Sequence, residues 1–212
     1  MSQREIDENR PSLLQRIAPI GGLIYGLAVL VSFFTSSDYE DNAASVQQYA
    51  ADSQPELWYT GILGLSTPLL VGAFVAALAA LLAPAASFYR NLVLVGGTTF
   101  IALMTVGLTV WSAPILETDI SESTATTYLA LDDFGWVLLG SAGVGMGVLM
   151  VGASLAAMRL GMVPAWLGWL GVVLGVVSFA SVAAVGLFAW TAWLIVASLL
   201  LVLRPNRAAG TA

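Results

Sequence analysis

Residues Leu131–Met158 read LDDFGWVLLGSAGVGMGVLMVGASLAAM and carry no charge after Asp132 and Asp133. At about 1.5 Å per residue the stretch is long enough to cross a hydrocarbon core of about 30 Å, so it predicts a membrane-spanning helix. On a helical wheel Gly140, Gly143, Gly147 and Ser154 form one stripe, and Ser141, Gly145, Gly152 and Ala156 form a second on roughly the opposite side. Opposed small-residue faces suit a helix clasped by two neighbours, because close backbone approach supplies dispersion where lipid offers no hydrophobic drive. The stretch is expected at the centre of an all-α bundle, with these small residues as its packing positions.

The rest of the chain fits a membrane setting. A mean hydropathy of +0.88, with 58% hydrophobic and 9% charged residues, excludes an ordinary soluble domain. The chain has no His and no Cys, which removes the usual ligands for zinc, haem and iron–sulfur clusters and rules out disulfides. All seven basic residues are Arg, so no Schiff-base lysine exists. No cofactor is expected. A net charge of -6 argues against nucleic acid, whose phosphates need clustered basic residues.

Six spans are predicted, at 17–34, 58–83, 91–115, 133–158, 163–182 and 185–203. They are flanked by an N-terminal segment 1–16, acidic loops 35–57 and 116–132, and a tail 204–212. Ser66-Thr67-Pro68 predicts a kink in the second span, where the freed carbonyl must find the hydroxyls or a neighbour. Pro164 opens the last apolar stretch, which is long enough for two spans joined near Ala183–Gly186. In this arrangement Arg4, Arg10, Arg16, Arg90, Arg159, Arg204 and Arg207 share one side, which the positive-inside rule makes cytoplasmic. Trp58, Trp111 and Trp136 then mark the outer interface, and Trp166 and Trp169 the inner one. The expected location is the cytoplasmic membrane, multi-pass, with both termini inside.

The two acidic loops resemble each other at a constant offset that pairs Tyr49 with Tyr128, Asp38 with Glu117 and Glu40 with Asp119. The alternatives are a duplicated hairpin, with spans one and two matching spans three and four, and a shared acidic, Ala/Ser/Thr-rich composition. Duplication would give each loop a short outer helix with its acids and Tyr exposed, and would place a pseudo-two-fold axis along the membrane normal with Tyr49 and Tyr128 facing each other at its outer end.

Polar chemistry is available only outside the membrane. Glu117, Asp119, Glu122, Asp132 and Asp133 are candidates for an outer-face ion or partner site, since dense carboxylates can hold Ca²⁺ or Mg²⁺. Their spacing matches no EF-hand, and the competing reading is a solvated surface on which Asp132 or Asp133 caps the central helix. Within the spans nothing ionises except tyrosine, which disfavours ion-coupled transport and intramembrane hydrolysis. Ser66, Thr67, Thr98, Thr99, Thr105, Thr109, Ser141, Ser154, Ser178 and Ser181 have no base beside them, so none is expected to be a catalytic nucleophile.

Pro164-Ala165-Trp166-Leu167-Gly168-Trp169-Leu170-Gly171, after Arg159 and before a Leu/Val/Gly-rich span, resembles a segment of uncharacterised bacterial multi-span integral membrane proteins classed as domains of unknown function. Ala165 stands where a basic residue is expected in that segment. Val46 to Tyr49, and Asp133 to Ala157, are similar to that group's outer-loop run and Gly/Ala-rich span. The resemblance implies a multi-span topology and no activity.

The expected function is non-enzymatic, exercised by helix packing with a membrane partner subunit, a second copy or lipid. The alternatives are a carrier or channel for a neutral or apolar molecule, using a cavity lined by Ser66, Thr67 and Ser141, and a divalent-ion-dependent sensor or enzyme on the outer face.

Overall fold

A computed structural model describes residues 13–35, 42–113, 120–183 and 185–203. Its regular elements are α1 (Leu13–Thr35), α2 (Ala43–Asp52), α3 (Gln54–Leu81), α4 (Ser87–Trp111), α5 (Glu122–Arg159), α6 (Ala165–Val177), a 3₁₀ segment (Ser178–Ala183) and α7 (Val185–Leu203). Among the described residues there is no strand. Glu117, Asp119, the arginines at 4, 10, 204 and 207, and both terminal segments lie outside the described residues.

Helix boundaries follow local chemistry. Asn42 caps α2 by accepting from the Ser45 N–H at 2.9 Å, and Ser121 caps α5 by accepting from the Thr124 N–H at 3.2 Å. The central helix thus starts eleven residues before the expected position 133, and much of the two expected loops is helical. Asp132 and Asp133 lie about three turns inside α5 and cap nothing, because Ser121 already supplies the acceptor. At the other end Gly161 adopts φ 65°, with Gly161 N–H donating to Met158 O and Met162 N–H to Ala157 O. This closing turn satisfies two final carbonyls before Pro164 redirects the chain.

Consecutive long helices run antiparallel. Tyr25 meets Thr67 across α1 and α3, Gly64 meets Leu108 across α3 and α4, and Gly152 meets Leu92 across α4 and α5. Gly168 meets Met158 across α5 and α6, Gly171 meets Trp193 across α6 and α7, and Gly26 meets Ile195 where α7 returns to α1. The helices therefore form a ring in the order α1, α3, α4, α5, α6, α7, closed by α7 against α1. Fully buried Tyr25, Phe74, Phe100, Met146, Met150, Trp190 and Leu194 fill its centre. Phe100 packs edge-on against Tyr25 and Trp190, with ring centroids 6.5 and 5.1 Å apart.

Five helices are long and apolar enough to cross a membrane: 17–35 within α1, then α3, α4, α5 and α7. The expected span 163–182 is instead a composite in which a 13-residue α-helix passes into 3₁₀ at Ser178. There the Ser178 hydroxyl donates to Leu174 O at 2.8 Å, the carbonyl that its own N–H also uses, a double load that bends helices. Pro68 leaves the Gly64 carbonyl without its helical donor, yet Ser66 and Thr67 place their hydroxyls 2.9 and 3.0 Å from Leu63 O, one residue earlier.

A two-fold relation between hairpins would make an α1–α5 contact equivalent to α3–α4. No extensive α1–α5 packing exists among the described residues; α1 packs on α3 and α7.

Candidate functional site

The small-residue faces of α5 are spent inside the chain. Gly145 abuts the Gly96 carbonyl and the Phe100 N–H of α4, and Gly152 abuts Leu92 and Tyr89 O on the same helix. Gly147 abuts Gly175 O and Phe179, and Ser154 sits over Gly171 of α6. Gly140 and Gly143 are buried, and half-buried Ser141 donates to Val137 O at 2.8 Å. Gly145 and Gly152 on one side and Gly147 and Ser154 on the other thus hold α5 between α4 and α6.

Most buried polar groups are consumed locally; the exceptions among the described residues are Thr105 Oγ1, Trp111 Nε1 and Ser198 Oγ. Thr67 Oγ1 lies 3.0 Å from both Tyr25 Oη and Leu63 O. Thr67 has one proton; when it serves Leu63, Tyr25 supplies the proton between the two hydroxyls. Thr191 donates to Leu187 O at 2.8 Å, and Tyr59 donates to Ala28 O at 2.6 Å. The buried Ser198 hydroxyl, beside Gly22, has no hydrogen-bond partner among the described residues.

The most polar assembly stands at the α2 end of the bundle. Val46 and Ala50 of α2 pack on Ala125 and Tyr128 of α5 and on Ile120, forming a small core separate from the main one. Gln47 donates to Ile120 O at 2.7 Å, and Tyr128 donates to Trp111 O at 2.9 Å. Tyr49 donates to Glu56 Oε1 at 3.1 Å. Burial raises the Tyr49 phenol well above the usual tyrosine range; the Glu56 carboxylate adds to this by charge and hydrogen bond, and Tyr128 and Asp132 add further. Tyr49 is therefore a hydrogen-bond donor, not a titrating base.

The tyrosines expected to be exposed are accordingly packed: Tyr128 is buried and Tyr49 half-buried, because α2 folds back onto α5. Asp132 is half-buried, near enough to Tyr49 to act on it, while Asp133 and Glu122 face outward. Among the described residues no three Asp or Glu side chains gather as a metal-binding group.

Trp58 and Trp136 are exposed at the α2 end, and Trp166 and Trp169 at the opposite one. Trp111 is half-buried, stacked on Gly135 and edge-on to Trp136 at 4.9 Å. Arg90 opens α4 and Arg159 closes α5 at one end, where the Arg159 guanidinium lies 5.9 Å from the Tyr89 ring centroid. The antiparallel order puts Arg16, in the first turn of α1, at that same end. Asp52, Glu56, Glu122, Asp132 and Asp133 occupy the other.

A short outer helix in each acidic loop belongs to the duplication reading, but the packing of α2 on α5 does not, although its signal is in the sequence. Val46, Tyr49, Ala50 and Ser53 recur at helical spacing, and Ala125, Tyr128, Asp132 and Gly135 carry one face of α5 out beyond the hydropathy boundary. No protein family, curated protein or solved structure matches this chain.

Proposed function

We propose that this is a non-enzymatic integral protein of the cytoplasmic membrane that acts through its lipid-facing perimeter and acidic cap, by packing with a partner subunit or with lipid. One observation carries the reading: the Tyr25–Thr67–Leu63 hydrogen bonds, at the polar heart of the bundle, are wholly internal and are walled in by Phe74, Phe100, Met146 and Trp190. A carrier route lined by Ser66, Thr67 and Ser141 has poor support, because all three hydroxyls bond within their own helices or to Tyr25 and α4 stands between α3 and α5.

Six passes remain the preferred topology. The 13-residue α6 helix rises about 20 Å at about 1.5 Å per residue, and the 3₁₀ segment after it, kinked at Ala180, carries the apolar chain further across a core of about 30 Å. The arginine-bearing end is the cytoplasmic one under the positive-inside rule. The likeness to bacterial domains of unknown function agrees with this topology and adds no activity.

The deciding experiment is gentle extraction from native membranes followed by density mapping and mass analysis. A stoichiometric protein or lipid retained on the perimeter or cap is expected. A bare monomer, or a solute held in the bundle centre, overturns the proposal.

A further inference from the structure

Pro68 and Thr105 each mark a polar group that lacks a partner, and the two groups are complementary. Pro68 has no N–H, so the Gly64 carbonyl of α3 has no helical donor, and the pyrrolidine ring pushes that carbonyl off the helix axis. Thr105 of α4 keeps its hydroxyl oxygen buried with no hydrogen-bond partner among the described residues. One group is an acceptor and the other can donate.

The register of the two helices brings them to one level. Gly64 meets Leu108 and Thr109, and Gly72 faces Ile101. Pro68 lies midway between Gly64 and Gly72, and Thr105 midway between Ile101 and Thr109. Positions four apart stack on a helix, so Gly64, Pro68 and Gly72 share one ridge of α3, and Ile101, Thr105 and Thr109 one ridge of α4. The displaced carbonyl and the Thr105 hydroxyl therefore belong to facing ridges.

The other hydroxyls nearby are committed elsewhere. Thr109 donates to Thr105 O at 2.7 Å, while Ser66 and Thr67 hold their hydroxyls 2.9 and 3.0 Å from Leu63 O. The seam also has slack on its lipid side. Pro68 is exposed, and a Cβ on Gly72 would find only Ile101 Cδ1 at 3.9 Å.

In an apolar surrounding an unmade hydrogen bond is costly, and a proline kink is where a helix yields. We propose that the α3–α4 seam carries a latch. In its closed form Thr105 donates to Gly64 O; the open form is the one in the structure, with the Thr105 hydroxyl unpaired. Closing narrows the lipid-facing groove beside exposed Leu65 and Leu69, so the latch sets the shape of the perimeter there, whichever partner or lipid that perimeter takes.

A double-mutant cycle tests the latch. Wild type, Thr105→Val, Pro68→Ala and the double variant are checked for folding by circular dichroism and gel filtration, then unfolded by heat in lipid bicelles. Thr105→Val keeps the side-chain shape and removes the hydroxyl, and Pro68→Ala returns an N–H donor to the Gly64 carbonyl. The latch expects Thr105→Val to lower the wild-type midpoint by about 2–4 °C and to lose most of that effect in the Pro68→Ala background. A midpoint that rises or stays level in the wild-type background overturns it, because removing a hydroxyl that never finds a partner does not destabilise. A fall of undiminished size in both backgrounds overturns it as well, because the hydroxyl then bonds to something other than Gly64 O. Pro68→Leu returns the same N–H and takes the place of Pro68→Ala in the cycle if that variant does not fold.

Discussion

Gly96 and Gly145 each occupy the space of the side chain the other lacks. A Cβ on Gly96 would lie 2.6 Å from Gly145 O and 2.5 Å from Leu149 N, and a Cβ on Gly145 would lie 2.9 Å from Gly96 O and 2.7 Å from Phe100 N. The obstacles are backbone atoms, which cannot rotate away as a side-chain end can. This crossing sets the α4–α5 distance, and through it the position of Phe100 at the bundle centre.

Gly96→Ala and Gly145→Ala are therefore each expected to destabilise the bundle by about 1–3 kcal/mol, the usual cost of overpacking. Gly72→Ala is the control, since a Cβ there finds only Ile101 Cδ1 at 3.9 Å, an ordinary contact. Thermal unfolding in one detergent, followed by circular dichroism, checks the ranking. Equal midpoints for the three variants would mean that the helices part without strain.

Gly161 poses the opposite case. Nothing lies within 4 Å of a Cβ placed there, yet its φ of 65° is one that L side chains rarely adopt. Gly161→Ala is expected to cost about 1–2 kcal/mol through backbone conformation alone. Gly161→Asn is expected to cost less, because asparagine tolerates this region better. The same unfolding assay checks the order Gly, Asn, Ala, and the reverse order would show that the turn after Arg159 can be remade.

The Tyr25–Thr67 pair should respond asymmetrically. Tyr25→Phe removes one hydroxyl and leaves Thr67 bonded to Leu63 O, for a loss of about 0.5–1.5 kcal/mol. Thr67→Val strands the fully buried Tyr25 hydroxyl, for a loss of about 1–3 kcal/mol. A larger loss for Tyr25→Phe would mean that Tyr25 has another important partner.

Much of this architecture was legible because membrane spans announce themselves by charge-free length, and small residues on α5 by spacing. The opposing stripes holding Gly145 and Gly147 could be drawn on a wheel, but a wheel cannot say whether the neighbours belong to the same chain. They do: Gly145 meets α4 and Gly147 meets α6, so the clasping neighbours are α4 and α6 of this chain. Hydropathy also misplaced the start of α5: Asp132 and Asp133 interrupt the apolar run without interrupting the helix, since a carboxylate outside the hydrocarbon costs α-helix little. The 3₁₀ passage at Ser178 was hidden for the converse reason, because its residues are as apolar as a span and differ only in backbone geometry.

Tyr49 ties the cap to protonation at high pH. Its pKa in the folded protein is raised, first by burial and then by Glu56, so the folded state holds the phenolic proton more tightly than the unfolded chain. The stabilisation is complete below the ordinary tyrosine value of about 10. Above it the unfolded chain releases its proton first, and stability falls as pH rises toward the raised value. Tyr49→Phe removes this group's contribution while keeping the ring. The expected result is a shallower decline in unfolding midpoint between neutral and strongly alkaline pH than in the wild type, with Tyr89→Phe, which leaves the cap intact, as the comparison. A Tyr49→Phe curve parallel to the wild-type curve would show that the Tyr49–Glu56 bond contributes nothing to alkaline sensitivity.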